Sequence, residues 1–302
     1  MTDDLAAELQ STRRALAFYR LALIGVLLLL GWLAWRVGRM SPVSDHGAYG
    51  EVWTVDLQQA RADADEAVAK GAVDVIRALF ESPDGSSSVH LHTMGFGQTT
   101  PLHIHEKAEE VTIVVGGTAV VRHVWGGHGN PGAGEGTFEE HALVWSPPAC
   151  AHEFENPHLD RTLAALVFAT PQFGGNLYVH PDDPRLQTGE TPFTFDPTAD
   201  LATFRTLDRP LELRRLPALG GRLLVAMVRD RLEVPANLHS PLFAYVFGGE
   251  GSVAGKALRE GVLVHVEQGE PTVFQATQGE PLGLVIVDTY GALRDAKATV
   301  DP

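Results

Sequence analysis

The stretch Gly97-Gln-Thr-Thr-Pro-Leu-His103-Ile-His105-Glu-Lys-Ala-Glu-Glu110-Val-Thr-Ile-Val-Val-Gly-Gly117 decides how the rest of the chain is read. Residues two apart on a β-strand project to the same face, so His103 and His105 can present both imidazoles to one point. A carboxylate follows at Glu110, then the apolar run 111–115 and two glycines, which reads as a strand entering a tight turn. A second block, Pro147-Pro-Ala-Cys-Ala-His152-Glu-Phe-Glu-Asn156, supplies another histidine. Three histidines and a glutamate form a donor set suited to a divalent first-row ion, with positions left over for water or a ligand. Paired histidines also occur on surfaces, and acidic neighbours are unremarkable at a net charge of −15. Here the spacing, the strand patterns and the distant His152 agree.

These blocks resemble the two motifs of the cupin superfamily, small antiparallel β-barrels that hold a metal inside. The family's first motif runs Gly, five residues, His-x-His, three or four residues, Glu, six residues, Gly; Gly97, His103, His105, Glu110 and Gly117 follow it without a gap. Glu109 competes for the carboxylate position, but only Glu110 leaves six residues before Gly117. In the second motif Pro147, His152 and Asn156 match, while His141 and Ala149 stand where the family places glycines. Both departures touch turns and leave the ligand positions intact. The resemblance covers residues 89–170 and implies that His103, His105, Glu110 and His152 hold one divalent ion: Fe, Mn, Ni or Zn.

A worn copy follows past residue 200. Val234-Pro-Ala-Asn-Leu-His239-Ser-Pro-Leu242 leads through an apolar run to Gly249, as the first motif leads to Gly117. Counting back from Gly249 puts Leu242 at the place of Glu110, and a later echo puts Thr272 at the place of His152. Only His239 survives of four ligands, and one imidazole holds a metal poorly. The resemblance therefore implies an all-β fold of two cupin-type, jelly-roll barrels, one metal-binding and one silent.

The acidic balance argues against nucleic acid as a partner, which needs clustered Lys and Arg. A single cysteine, Cys150, excludes an internal disulfide, and its place beside His152 fits burial better than a nucleophile role. Residues 21–35 carry no charge, and residues 15–19 extend the run to about the 20 residues of a spanning helix. Trp32 and Trp35 suit a membrane interface and Arg36 and Arg39 close the segment. No small-x-small cleavage site follows, so the segment reads as an uncleaved signal-anchor. Arg13, Arg14 and Arg20 before it, against two arginines after it, place the globular part in the periplasm or outside the cell.

The organisation expected is a tail and transmembrane helix at 1–40, a linker and helix at 41–88, the metal-binding barrel at 89–181, a linker at 182–204 and the degenerate barrel at 205–295. Val68, Ala72, Ile76 and Leu79 are at helical spacing and predict a helix over 58–80. Residues 126–136 hold six glycines and read as a flexible loop. His90, His92 and Met94 share one strand face; His90, His92 and His123 are the substrate-side candidates, with Glu153 a further candidate base. Function is expected to be that of a membrane-anchored metal-binding cupin acting on a small molecule, by dioxygenase, isomerase or hydrolase chemistry. Two other readings stand beside it: a non-catalytic binding or sensing module, and a structural metal-holding protein. Nothing in the sequence forbids a homodimer.

Overall fold

The computed structural model describes residues 52–288 except 83, 127–131, 173, 182, 184, 187–189, 208, 236–240 and 268–270. The segment 21–35 and His239 therefore lie outside the described residues. Among those described, no helix is long and apolar enough to cross a membrane.

Strand β1 (Val52–Asp56) runs straight into helix α1 (Leu57–Ala69), and β2 (Asp74–Glu81) and β3 (Ser88–Met94) follow as an antiparallel pair. The motif region supplies β4 (His103–Ile104), β5 (Glu109–Gly116), β6 (Ala119–Trp125), β7 (Gly132–Phe138), β8 (Leu143–Ser146), β9 (Ala151–Glu155) and β10 (Leu163–Thr170). Short strands β11 (Leu177–Tyr178) and β12 (Phe193–Phe195) precede helix α2 (Pro197–Arg205). The second half comprises β13 (Leu211–Leu216), β14 (Leu223–Val228), β15 (Arg231–Val234), β16 (Leu242–Gly248), β17 (Glu250–Val253), β18 (Lys256–Arg259), β19 (Val262–Val266), β20 (Thr272–Ala276) and β21 (Leu282–Asp288).

In the first barrel a six-stranded sheet, β12-β8-β5-β10-β3-β2, faces a five-stranded one, β11-β4-β9-β6-β7. The second barrel pairs β1-β19-β16-β21-β14-β13 with β15-β20-β17-β18. Strand β1 thus joins the C-terminal barrel although it starts the described chain. The alternation of each strand explains how the barrels stack. Val111, Ile113 and Val115 of β5 share a core with Phe243, Tyr245 and Phe247 of β16, so the two six-stranded sheets meet face to face. Phe80 and Phe168 both touch the Phe243 ring across that seam, with centroids 5.0 and 5.9 Å away. The intervening residues of β16, Leu242, Ala244 and Val246, fill the second barrel together with Leu232, Val264, Phe274 and Ile286.

The helix expected over 58–80 stops at Ala69. Asp56 caps its start, accepting from Gln58 N and Gln59 N at 3.0 and 3.3 Å, and Leu57, Ala60, Ala64 and Val68 form its buried face. Gly71, at φ 100°, then turns the chain out of the helix. Ile76 and Leu79 belong to β2 instead, an edge strand that pairs with β3. Part of the expected linker at 182–204 is likewise ordered as β12 and α2. The glycine-rich stretch differs too: 132–138 is a strand paired along β6. Its glycines recur at every second residue because a Cβ on Gly132 would meet the Trp125 ring at 2.5 Å, and one on Gly136 the Phe138 ring at 2.5 Å.

Candidate metal centre

Three neighbouring strands set the histidines side by side. His103 of β4 lies opposite His152 of β9, and His152 lies opposite His123 of β6. Ile104 and Ala151, one residue on or back, pack outward under Leu186, which turns the histidines into the barrel. The His103 and His152 ring centroids are 4.4 Å apart, and His105 lies 5.2 Å from each. One ring nitrogen from each of His103, His105 and His152 falls within 4.8 Å of the other two, and all three residues are buried.

The outer nitrogens are tied to backbone carbonyls. His103 Nδ1 donates to Pro101 O at 2.7 Å, His105 Nδ1 to Gly175 O at 3.3 Å and His152 Nδ1 to Cys150 O at 3.4 Å. A carbonyl only accepts, so each Nδ1 carries a proton and each Nε2 is turned inward. His152 Nε2 is buried and makes no hydrogen bond. Burial pushes the pKa values of His103 and His152 down and keeps both rings neutral.

Glu110 completes the set from β5. Val111 and Ile113 enter the seam while Val114 joins the barrel's own core, so Glu110 and Thr112 face inward with Val114. Its Oε2 lies 3.1 Å from His105 Nε2 and its Oε1 3.7 Å from His152 Nε2, while Thr112 Oγ1 donates to Oε1 at 2.9 Å. Burial alone would raise the Glu110 carboxyl; the imidazoles of His152, His105 and His103 outweigh it and hold the group well below the usual carboxylate range. Burial would likewise lower His105, but its hydrogen bond with Glu110 raises it. A carboxylate oxygen and an imidazole lone pair 3.1 Å apart need a cation between them, either a proton on His105 or a metal ion. The donor set fits a divalent ion on that ground and on the inward lone pairs.

Glu109 is turned the other way. Its Oε2 accepts from Leu219 N at 2.7 Å and from Trp145 Nε1 at 3.3 Å, which ties the second half of the chain to the first. His123 and Ser146, at the back of the site, meet at 3.0 Å between Nε2 and Oγ, and burial pushes His123 down to about 4. On the facing sheet Val89 and Leu91 join the seam and Met94 the barrel core, so His90 and His92 point inward. Burial lowers His90, and His92 Nε2 lies 2.6 Å from Asp74 Oδ1. Glu153 is not in the barrel: it faces outward and meets Arg122 Nη1 at 2.6 Å, which removes it as a base candidate. Asn156 is a loop clasp, its Nδ2 donating to Gly95 O at 2.9 Å and Arg161 O at 2.8 Å. Burial pushes the Cys150 thiol up to about 12, so it stays protonated. Thr112, Ser146 and Asp74 escaped the sequence reading. Only Thr112 carried a signal, two residues from Glu110 on the same strand face.

Strand register confirms which positions of the second barrel correspond. Glu110 pairs with Ser146 and Val120 with Glu155; at the matching places Leu242 pairs with Val266 and Ser252 with Gln275. That register sets Leu242 at the Glu110 position and Thr272 at the His152 position, among the apolar residues filling that barrel.

No family model and no protein of established function matches the chain in sequence. Solved structures of a salicylate 1,2-dioxygenase from Pseudoaminobacter salicylatoxidans resemble it in fold. A tryptophan-to-tyrosine variant superposes with a TM-score of 0.56 at 17% identity, over 91% of this chain and 95% of that one. The same variant in complex with gentisate gives 0.57 at 18% identity, over 87% and 88%. A further structure of that enzyme gives 0.57 at 16% identity, over 84% and 88%. The likeness runs through both barrels. The likeness is one of fold: two β-barrels in tandem, the arrangement that the motif resemblance implies.

Proposed function

We propose that this chain is a metal-dependent cupin enzyme of the dioxygenase type, acting on a small carboxylate-bearing molecule. His103, His105, His152 and Glu110 hold one divalent ion in the first barrel. The observation that carries this reading is the inward set of three imidazole nitrogens beside a buried, ionised carboxylate, in a barrel whose counterpart is packed with apolar side chains. When bound, the ion supplies a Lewis-acid centre with positions open to an exogenous oxygen ligand. The chain's own residues do the rest. Backbone carbonyls fix the three rings, and Thr112 orients Glu110. His90 and His123, kept neutral by burial, can accept a proton, and His92 is backed by Asp74.

The likeness to a salicylate 1,2-dioxygenase, one of whose structures holds gentisate, supports hydroxybenzoates as first substrates to try. The uncharged run 21–35 supports a single-pass anchor with the barrels outside the cytoplasm. The test is oxygen uptake by the iron(II)-loaded protein with salicylate and with gentisate. Consumption that stops without oxygen or iron supports the reading. Turnover that persists anaerobically with other divalent ions would make it an isomerase or hydrolase. Stoichiometric binding with no product would make it a binding module.

A further inference from the structure

A second group of metal-ligating side chains lies where the two barrels meet. Glu140 and His141 form the turn before β8; Glu260 and Gly261 form the turn before β19. The turns are counterparts. His141 N donates to Val114 O at 2.7 Å, and Gly261 N donates to Val246 O, the matching residue of β16, at 3.0 Å. His141 precedes His152 by the same interval as Gly261 precedes Thr272. Glu140 and Glu260 therefore occupy one position in the two halves, and the chain adds an imidazole to the pair where the second half keeps glycine. Both turn residues have left-handed backbones, φ 74° at His141 and φ 80° at Gly261, a conformation that strains a non-glycine residue.

His141 is held from both sides. Its Nδ1 lies 2.9 Å from the Tyr245 hydroxyl of β16, and its Nε2 lies 3.3 Å from Glu260 Oε1. One ligand atom from each of Glu140, His141 and Glu260 lies within 4.8 Å of the other two. Among the described residues neither glutamate pairs with a Lys or Arg; the nearby Arg61 is 3.9 Å from Asp65 instead. Two carboxylates thus converge on one imidazole without a cationic side chain between them. They also form part of the wall of a cleft of about 430 Å³, shared with Leu57, Arg61 and Asp65, which leaves room for water ligands.

We propose that Glu140, His141 and Glu260 bind a second divalent cation, of the zinc, cobalt or manganese kind, that ties the two barrels together. One imidazole and two carboxylates suit such an ion, with water filling the remaining positions. Because Glu140 and Glu260 are exposed, this site is weaker than the buried one. It rests on residues outside the first barrel's interior and stands or falls apart from the proposed enzyme activity.

The experiment is calorimetric titration of the metal-stripped full chain with zinc alone, followed by thermal melts with and without zinc. Removing the buried site with His103→Ala and His152→Ala should leave one equivalent of zinc binding and a zinc-dependent rise in melting temperature. Both should vanish when Glu140→Gln and Glu260→Gln are added, or His141→Gly, which removes the imidazole and the backbone strain together. If the barrel double variant does not fold, the otherwise unaltered chain should bind two equivalents, falling to one on Glu140→Gln with Glu260→Gln. No zinc bound by a folded double variant, or binding unchanged by the turn substitutions, overturns the proposal. A single equivalent in the unaltered chain, abolished by the turn substitutions, would keep this site and overturn the buried one.

Discussion

Adjacent carboxylates on β5 should differ in what their removal does to metal binding. Glu109 faces the seam and accepts from the backbone of Leu219 at 2.7 Å and from Trp145 at 3.3 Å. Both donors belong to buried residues, so Glu109→Ala leaves two N–H groups in search of partners. An unsatisfied buried donor costs about 1–3 kcal/mol, and the longer Trp145 bond counts for less, so the loss is about 2–4 kcal/mol. For a folded part of this size that is a drop of roughly 5–10 °C in melting temperature. Glu109→Gln keeps an acceptor oxygen and should recover most of it. Metal content should not change in either variant. Glu110→Gln should instead lower metal affinity steeply, and because it takes the buried ionic partner from His105 it should also destabilise the metal-free fold. The assay is thermal denaturation of metal-stripped protein alongside metal analysis after dialysis. Metal lost from Glu109→Ala and retained by Glu110→Gln would refute the facing assigned to this strand.

Three further outcomes are expected. The folded-state pKa of His123, about 4, lies below the 6.5 of an exposed histidine. The unfolded chain therefore takes up the proton first. The stabilisation is full above 6.5 and is lost as pH falls towards 4, by about 3 kcal/mol at the end of that window; urea unfolding of the metal-free protein with and without His123→Asn should show the difference, and parallel pH curves would contradict it. Gly117→Ala forces a side chain onto a φ of 87° with Thr162 O only 2.6 Å from the new Cβ, so a loss of about 1–3 kcal/mol should appear in the same unfolding assay. Removal of residues 1–40 should leave a soluble metal-binding protein, whereas the full chain should partition with detergent; a full chain that stays in the aqueous phase contradicts the anchor.

Much of the first barrel was legible because strand alternation and motif spacing carry the same information. Gly117 and Gly249 needed left-handed turns, which fixed the ends of β5 and β16 and, by counting back, the places of Glu110 and Leu242. Spacing alone favoured Glu110 over Glu109, and the strand turns Glu110 into the barrel and Glu109 towards the seam, since Val111 and Ile113 belong to the seam. The helical spacing at Val68, Ala72, Ile76 and Leu79 misled because Gly71 breaks the helix between them, and the residues beyond it pair with β3. The glycines of β7 read as a loop because the Trp125 ring that crowds Gly132 and Gly134 is visible only once β6 and β7 are paired. Contacts such as Asp74 with His92, or Glu109 with Leu219, join residues far apart in sequence and carry no local signal.

The central claim is that one divalent ion is held by imidazoles on β4 and β9 and beside β4. Metal analysis of the full chain, dialysed against metal-free buffer, tests it most directly when set against the His103→Ala, His152→Ala double variant. One tightly held equivalent in the unaltered chain, and none in the folded double variant, is the result this account predicts. A full equivalent retained after the same dialysis by the double variant carrying Glu140→Gln and Glu260→Gln as well would contradict it.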